Sequence, residues 1–280
     1  TGRTHLQDAT PIRFGQVFAG YAARVRRARE RIVAARAALH ELALGGTAVG
    51  TGMNTHPRFA GRAIAEIARA TGLPFRETDD HVQAQASIAA VVAASAALRG
   101  AAIALSGIAE DVRMLASGPR CGLGELTLPA VQPGSSIMPG KVNPVIAESA
   151  IQACARVLGD DHTLAQCGLG GRFELNTMLP LAAATVLRSA DLLARAADNF
   201  GERCIEGLRS TGRGAELVER GLALATALVP ALGYDRAAEI AKEAAATGRT
   251  VREVVLRHGD LAPDDLDEAL DPFRMTGPSD

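Results

Sequence analysis

The chain is 280 residues long, enough to bury a large core and, by length alone, to form one or two domains. Its 30 Lys and Arg balance 31 Asp and Glu to a net charge of -1, which excludes the broad basic field of a nucleic-acid-binding protein and favours action on small molecules. Cys121, Cys154, Cys167 and Cys204 stand far apart in no zinc or CxxC spacing, so they read as reduced, mostly buried thiols of a cytoplasmic protein with no metal site.

Aromatic residues make up 3% of the chain and alternating β-branched runs are nearly absent. The expected fold is therefore all-α, a long-helix bundle followed by a small helical C-terminal domain. Thr1 opens directly on a motif-like segment without an initiator methionine or an approach segment, as if cut from a longer chain. A first long helix is predicted over residues 11–42, where Ile12, Val17, Tyr21, Val25, Ile32 and Leu39 keep helical spacing and Gly45 and Gly46 end it. The glycine-rich passage 45–57 leads to a short helix over 58–70, closed by Thr71-Gly-Leu-Pro74. Residues 80–116 are the most uniformly apolar and read as one core helix, with small residues that allow close packing in a bundle. Its alanine-rich part, 84–105, is interrupted by Gln85, Ser95 and Arg99, so no membrane span is expected.

Two further long helices are predicted over 144–165 and 178–200, joined by a glycine-rich link at 167–172. Beyond Gly207 the composition becomes more polar, and shorter helices are expected over 216–228, 235–247, 251–258 and 263–270. The boundary falls at 207–212, giving a central helical domain of residues 1–210 and a C-terminal domain of 211–280.

Chemistry concentrates in residues 134–143, Gly-Ser-Ser-Ile-Met-Pro-Gly-Lys-Val-Asn. Two serines, two glycines, a lysine and an asparagine in one turn suit a lid over an anionic substrate, with glycines to flex, a hydroxyl for proton transfer, and a cation and an amide for carboxylate oxygens. It is not a phosphate-binding P-loop: five residues separate Gly134 from Gly140, and Val142 follows Lys141 where Ser or Thr is required. In Thr4-His5-Leu6-Gln7-Asp8, a segment too polar for a core, a hydroxyl and an imidazole are available to an oxyanion or a water. Asn54 and Thr55 can hydrogen-bond a carboxylate or hydroxyl, and Glu148, near a helix start, can orient His5 and raise its basicity. Residues 173–180 read as a helix start with Phe173 and Leu175 packing inward and Glu174 and Asn176 supporting a site from behind. His40, His56, His81, His162 and His258 show no metal-ligand spacing.

Taken together, these motifs resemble the fumarase/aspartase superfamily, and within it the class II fumarate hydratases. The resemblance rests on Gly134-Ser-Ser-Ile-Met-Pro-Gly-Lys-Val-Asn-Pro144, Gly2-Arg-Thr-His-Leu-Gln-Asp-Ala-Thr-Pro11, Gly50-Thr-Gly-Met-Asn-Thr-His-Pro57, Ser117-Gly-Pro-Arg-Cys-Gly-Leu-Gly-Glu125, Phe173-Glu-Leu-Asn176 and Gly233-Tyr-Asp-Arg-Ala-Ala-Glu-Ile-Ala-Lys242. It implies reversible hydration of fumarate to L-malate, without metal or organic cofactor, through an aci-carboxylate intermediate. By the same resemblance Ser135 is the base in deprotonated form, Ser136 binds substrate, and Lys141 and Asn143 hold the charge-accumulating carboxylate. His5 serves the water side, paired with Glu148, and Thr4 contacts the substrate.

The resemblance also implies a homotetramer whose sites draw segments from three chains, and a preceding N-terminal domain with no counterpart here. The isolated chain would then retain the bundle and lack full activity. Two other readings stay open, an aspartate ammonia-lyase and a non-catalytic oligomerisation module. Val145-Ile-Ala-Glu148 leans toward the ammonia-lyase, whereas Gly140, Thr55-His56-Pro57 and Phe173-Glu-Leu-Asn176 lean toward fumarase.

Overall fold

Helix punctuation in the sequence is realised closely in the computed structural model, which describes residues 1–278. The helices are α1 (Phe14–Ala38), α2 (Phe59–Thr71), α3 (His81–Ala86), α4 (Ala89–Leu115), α5 (Val145–Gly168), α6 (Leu179–Phe200), α7 (Arg213–Arg220), α8 (Val229–Leu232), α9 (Tyr234–Thr247), α10 (Val251–His258) and α11 (Pro263–Ala269). Gly72, at φ 68°, closes α2 in the left-handed conformation. Pro180 stands in the first turn of α6, where a missing N–H costs nothing. Thr250 and Glu253 form a reciprocal capping box at the start of α10. The fold is all-α.

Two expected helices are broken. The apolar run 80–116 divides because Ser87 takes an extended conformation and its Oγ accepts from the Ala89 N–H at 3.2 Å, so the serine ends α3 and caps α4. Residues 216–228 divide at Gly221, which is extended, and continue as a 3-10 turn over Leu222–Leu228. Among the described residues α4 is the one helix long and apolar enough, by length and composition, to cross a membrane. Gln85 precedes that helix, so only Ser95 and Arg99 interrupt its first half, too few to offset the aliphatic residues. Short strands, unforeseen in the sequence, pair two residues at a time: β1 (Arg3–Thr4) with β2 (Gln7–Asp8), β3 (Glu41–Leu42) with β4 (Arg76–Glu77), β5 (Leu126–Thr127) with β8 (Arg209–Ser210), and β6 (Gly171–Arg172) with β7 (Leu175–Asn176). Only the β3–β4 pair is parallel.

The chain forms two compact units, one of Thr1–Ala22, Met114–Thr127 and the residues from Leu208 onward, the other of Ala23–Arg113 and Leu128–Gly207. The sequence gives no sign that 1–22 and 114–127 group with the residues from Leu208 onward. In the first unit Leu224, Leu228, Ile240, Val254, Val255, Leu266 and Leu270 form a buried core among the short helices. The second unit is built on α5 and α6, which pack along each other and are joined by the β6–β7 turn. Ala147, Ala150 and Ala182 are buried along that pair, and their small side chains let the helix backbones approach. Burial pushes the Cys154 and Cys204 thiols up to about 11, which leaves them unreactive at neutral pH.

A buried acid pair ties the helices of the second unit together. Asp160 on α5, 2% exposed, accepts from Arg188 Nη2 at 2.7 Å and Ser189 Oγ at 3.0 Å on α6, and pairs with Arg156 at 2.9 Å. Asp161 accepts from Ser95 Oγ and Arg99 Nη1 of α4, each at 2.7 Å. Burial by itself would raise the Asp160 pKa, but the donors Arg188, Ser189 and Arg156 together outweigh it and hold the carboxyl below its ordinary value. Its stabilising effect is therefore complete above the unfolded-state value of about 3.9 and is lost as pH falls through the lower folded value. We expect Asp160→Ala to lower stability at neutral pH by about 1.5–3 kcal/mol, the range for hydrogen bonds to a charged group. It should also flatten the loss of stability below about pH 4. Chemical denaturation across pH checks both.

Candidate active site

The loop before α5 is organised by three successive local motifs. Ser135 Oγ accepts hydrogen bonds from the backbone N–H groups of Ile137, at 3.2 Å, and Met138, at 3.1 Å. A tight turn follows, in which Lys141 N donates to Met138 O at 3.3 Å across Pro139 and Gly140. Gly140 has φ 76°, as the third position of a type II turn requires, and Pro139 pre-sets the second. At the base, Asn143 Nδ2 donates to Gly134 O at 2.7 Å. A Cβ on Gly134 would lie 1.9 Å from the Lys141 carbonyl oxygen, so only glycine fits this crossing.

Ser135 and Asn143 are half-buried, whereas Ser136 and Lys141 are exposed. The Lys141 ammonium has no hydrogen-bond or ion-pair partner among the described residues. Glu148 follows in the first turn of α5, fixed by its N–H bond to Pro144 O at 3.0 Å, and is half-buried. The loop thus presents a hydroxyl held by two N–H dipoles, a free cation and an amide within ten residues. Two donors aimed at one oxygen stabilise negative charge there, the condition for a serine to act as a base.

Thr4 and His5 lie in the first unit, on a different kind of scaffold. Arg3 pairs with Asp8 and Thr4 with Gln7 in an antiparallel hairpin whose two turn residues, His5 and Leu6, have φ 56° and 60°. Positive φ at both positions is the type I′ geometry that matches strand twist, and it is normally left to Asn or Gly. Holding His and Leu there requires support from neighbouring structure. The ladder continues through Ala9 N to Gly2 O at 2.8 Å and Gly2 N to Thr10 O at 3.1 Å, and the Arg3 guanidinium is bonded to the buried carboxylate of Glu125. His5 is thereby exposed at the tip of a braced turn. Glu125 has no role in the sequence reading beyond membership of a motif; its signal there is an acid closing a glycine-rich run. We expect Arg3→Ala to release the hairpin, seen as faster proteolysis within residues 2–10 while the circular dichroism of the helices is unchanged. Equal protease resistance would contradict the brace.

Asn54 sits in the second unit on a separate loop, exposed and left-handed at φ 65°. The neighbouring Thr55 hydroxyl donates to Gly52 O at 2.7 Å, so it shapes the loop while the Asn54 amide has no partner among the described residues. The motif at 173–176 is not a helix start. Phe173, at φ 52°, is 91% exposed at the tip of the β6–β7 hairpin, and Leu175 is also exposed, because the chain turns there before α6 begins at Leu179. Asn176 is buried and structural, donating to Cys167 O at 3.0 Å and accepting from Met178 N at 2.8 Å. Of the expected site residues, Ser135, Ser136, Lys141 and Asn143 share one loop and Glu148 the adjoining helical turn. The Ile137 and Met138 N–H groups were beyond a reading of side chains, since any residue type supplies them.

The chain belongs to the lyase family, whose description as lyase matches residues 1–159. Residues 224–277 match the family described as fumarase C C-terminus. Among curated relatives, a class II fumarate hydratase of Methylorubrum extorquens is 48% identical over 279 residues and one of Halobacterium salinarum 51% identical over 277, each match covering 99% of this chain and 59% of the relative. The solved fumarate lyase:delta crystallin from Brucella melitensis, in its cobalt-bound form, superposes with a TM-score of 0.95 at 47% identity over 99% of this chain and 60% of that one. Recombinant class II fumarase from Schistosoma mansoni gives 0.92 at 33% identity, over 100% of this chain and 62% of that one. The chain therefore spans about three-fifths of the length of these relatives.

Proposed function

We propose that this chain supplies the proton-abstracting part of a fumarate hydratase, which interconverts fumarate and L-malate. The observation that carries the reading is the Ser135 hydroxyl oxygen held by the N–H groups of Ile137 and Met138 in a loop that also bears Lys141 and Asn143. In the dehydration direction, the Ser135 alkoxide removes the proton from the carbon next to one malate carboxylate. The electron pair moves into that carboxylate, giving an aci-carboxylate that Lys141 and the free N–H of Asn143 neutralise. The pair then returns to form the double bond, and the hydroxyl leaves from the adjacent carbon as water, with a proton supplied on the side served by His5. Ser136, Thr4 and Asn54 bind the substrate, and Glu148 pairs with His5.

Similarity to class II fumarate hydratases supports fumarate and malate over aspartate. No organic cofactor is needed for the steps above. The test compares fumarate formation from L-malate and from L-aspartate by this chain, supplemented with the part of a class II fumarate hydratase that it does not span. Malate should yield fumarate and aspartate should not; ammonia release from aspartate would transfer the chain to the ammonia-lyase branch.

The same proposal includes a homotetramer in which His5 of one copy serves Ser135 of another. Supporting it, Ile103 on α4 and Leu187 on α6 remain 53% and 69% exposed, and α4, long and apolar, is mostly unburied within this chain. Leu187→Arg is expected to lower the molar mass seen by light scattering from tetramer to a smaller species. An unchanged tetramer would remove this face from the interface.

A further inference from the structure

Resting on the reading of residues 134–143 as the substrate lid, we infer that Asn143 is also a positioning residue, a latch whose amide keeps the lid folded before any substrate arrives. Both ends of the loop meet at this residue. Its Nδ2 reaches across nine positions to Gly134 O at 2.7 Å, while the Asn143 backbone N and the Lys141 carbonyl lie so near Gly134 that no side chain fits there. Between these ends the Ser135 motif and the Met138–Lys141 turn are both local, with no side-chain bond from the loop to another element among the described residues.

The consequence is mechanical. A loop whose order depends on its own bonds stays in register only if its ends are fixed, because closing it otherwise carries the entropy of every residue between them. With the latch made, Ser135 keeps its two N–H donors and Lys141 keeps its place three residues beyond Met138, so the lid moves as a preformed piece. Ile137, 85% exposed, and Met138, 51% exposed, then form an apolar tip carried on a fixed base. An amide has two N–H groups, so one holds the latch while the other and the oxygen remain for a ligand. Asn143 therefore serves both loop and substrate. Aspartate has the same shape and cannot do the first, because its oxygen would face the Gly134 oxygen.

Hydrogen exchange by mass spectrometry on the ligand-free chain tests this without any need for turnover. Asn143→Asp and Asn143→Ala should each speed exchange across 130–144 by about tenfold, the effect of losing one hydrogen bond, and leave the α5 peptide 150–165 unchanged. Asn143→Gln, which retains the donor, should recover part of the protection. Unaltered exchange across 130–144 in both donor-less variants would overturn the latch, as would an equal rise in 150–165, which would place the residue's effect in the helix. If the malate assay fails while the loop responds as expected, the functional reading falls and the latch stands; a silent loop in an active assembly has the opposite meaning.

Discussion

Asp160 is the fixed point of the second unit. Its carboxylate, buried on α5, is satisfied by Arg188 and Ser189 from α6 and by Arg156 one turn back on its own helix, while Asp161 beside it takes Ser95 and Arg99 from α4. A slip of one helix against another would strand a buried charge, at a cost of several kcal/mol. Small residues along the α5–α6 pair bring the helices close, and the acid pair sets where along their length they meet. Everything carried on the N-terminal end of α5 inherits that placement.

The loop 134–143 is what α5 carries. The proposed chemistry needs an oxygen that tolerates negative charge, and the backbone turns two N–H groups onto Ser135 Oγ. Lys141 follows on the far side of the Pro139–Gly140 turn. The histidine is treated differently, since His5 stands at a two-residue hairpin tip in left-handed geometry, braced through Arg3 by buried Glu125. Both devices place a polar side chain on a turn held by its own backbone and by one strong polar contact. The same economy of local bonds explains how exposed segments keep a defined shape.

Much of this was legible in the residues, for identifiable reasons. Long helices announce themselves through alanine-rich periodicity and through stops such as Gly72 and Gly45, and the loop 134–143 stands out by composition, since packing has no use for Ser135, Ser136, Lys141 and Asn143 together. Other features were not legible. The split at Ser87 depends on one side chain choosing a cap over helix continuation, and the hairpins at His5–Leu6 and Phe173–Glu174 use residues with no turn preference, so composition hid them. The grouping of Thr1–Ala22 and Met114–Thr127 with the residues from Leu208 onward involves contacts distant in sequence, the Arg3–Glu125 pair joining the first two segments and the β5–β8 pair joining the second to Arg209–Ser210. Backbone donors to Ser135 are silent in any reading of side chains.

The central claim is that Ser135 takes a proton from carbon, and no solvent deuterium can wash into L-malate at that carbon, directly or through fumarate, unless that step occurs. With the remaining part of a class II relative supplied, the parent chain in deuterated water should place deuterium on the malate carbon next to a carboxylate, as read by NMR. Ser135→Ala should slow the exchange by about 10²–10⁴-fold, the usual contribution of a general base, while dicarboxylate binding persists. Exchange at the parent rate in Ser135→Ala would show that another group removes the proton and would end the account.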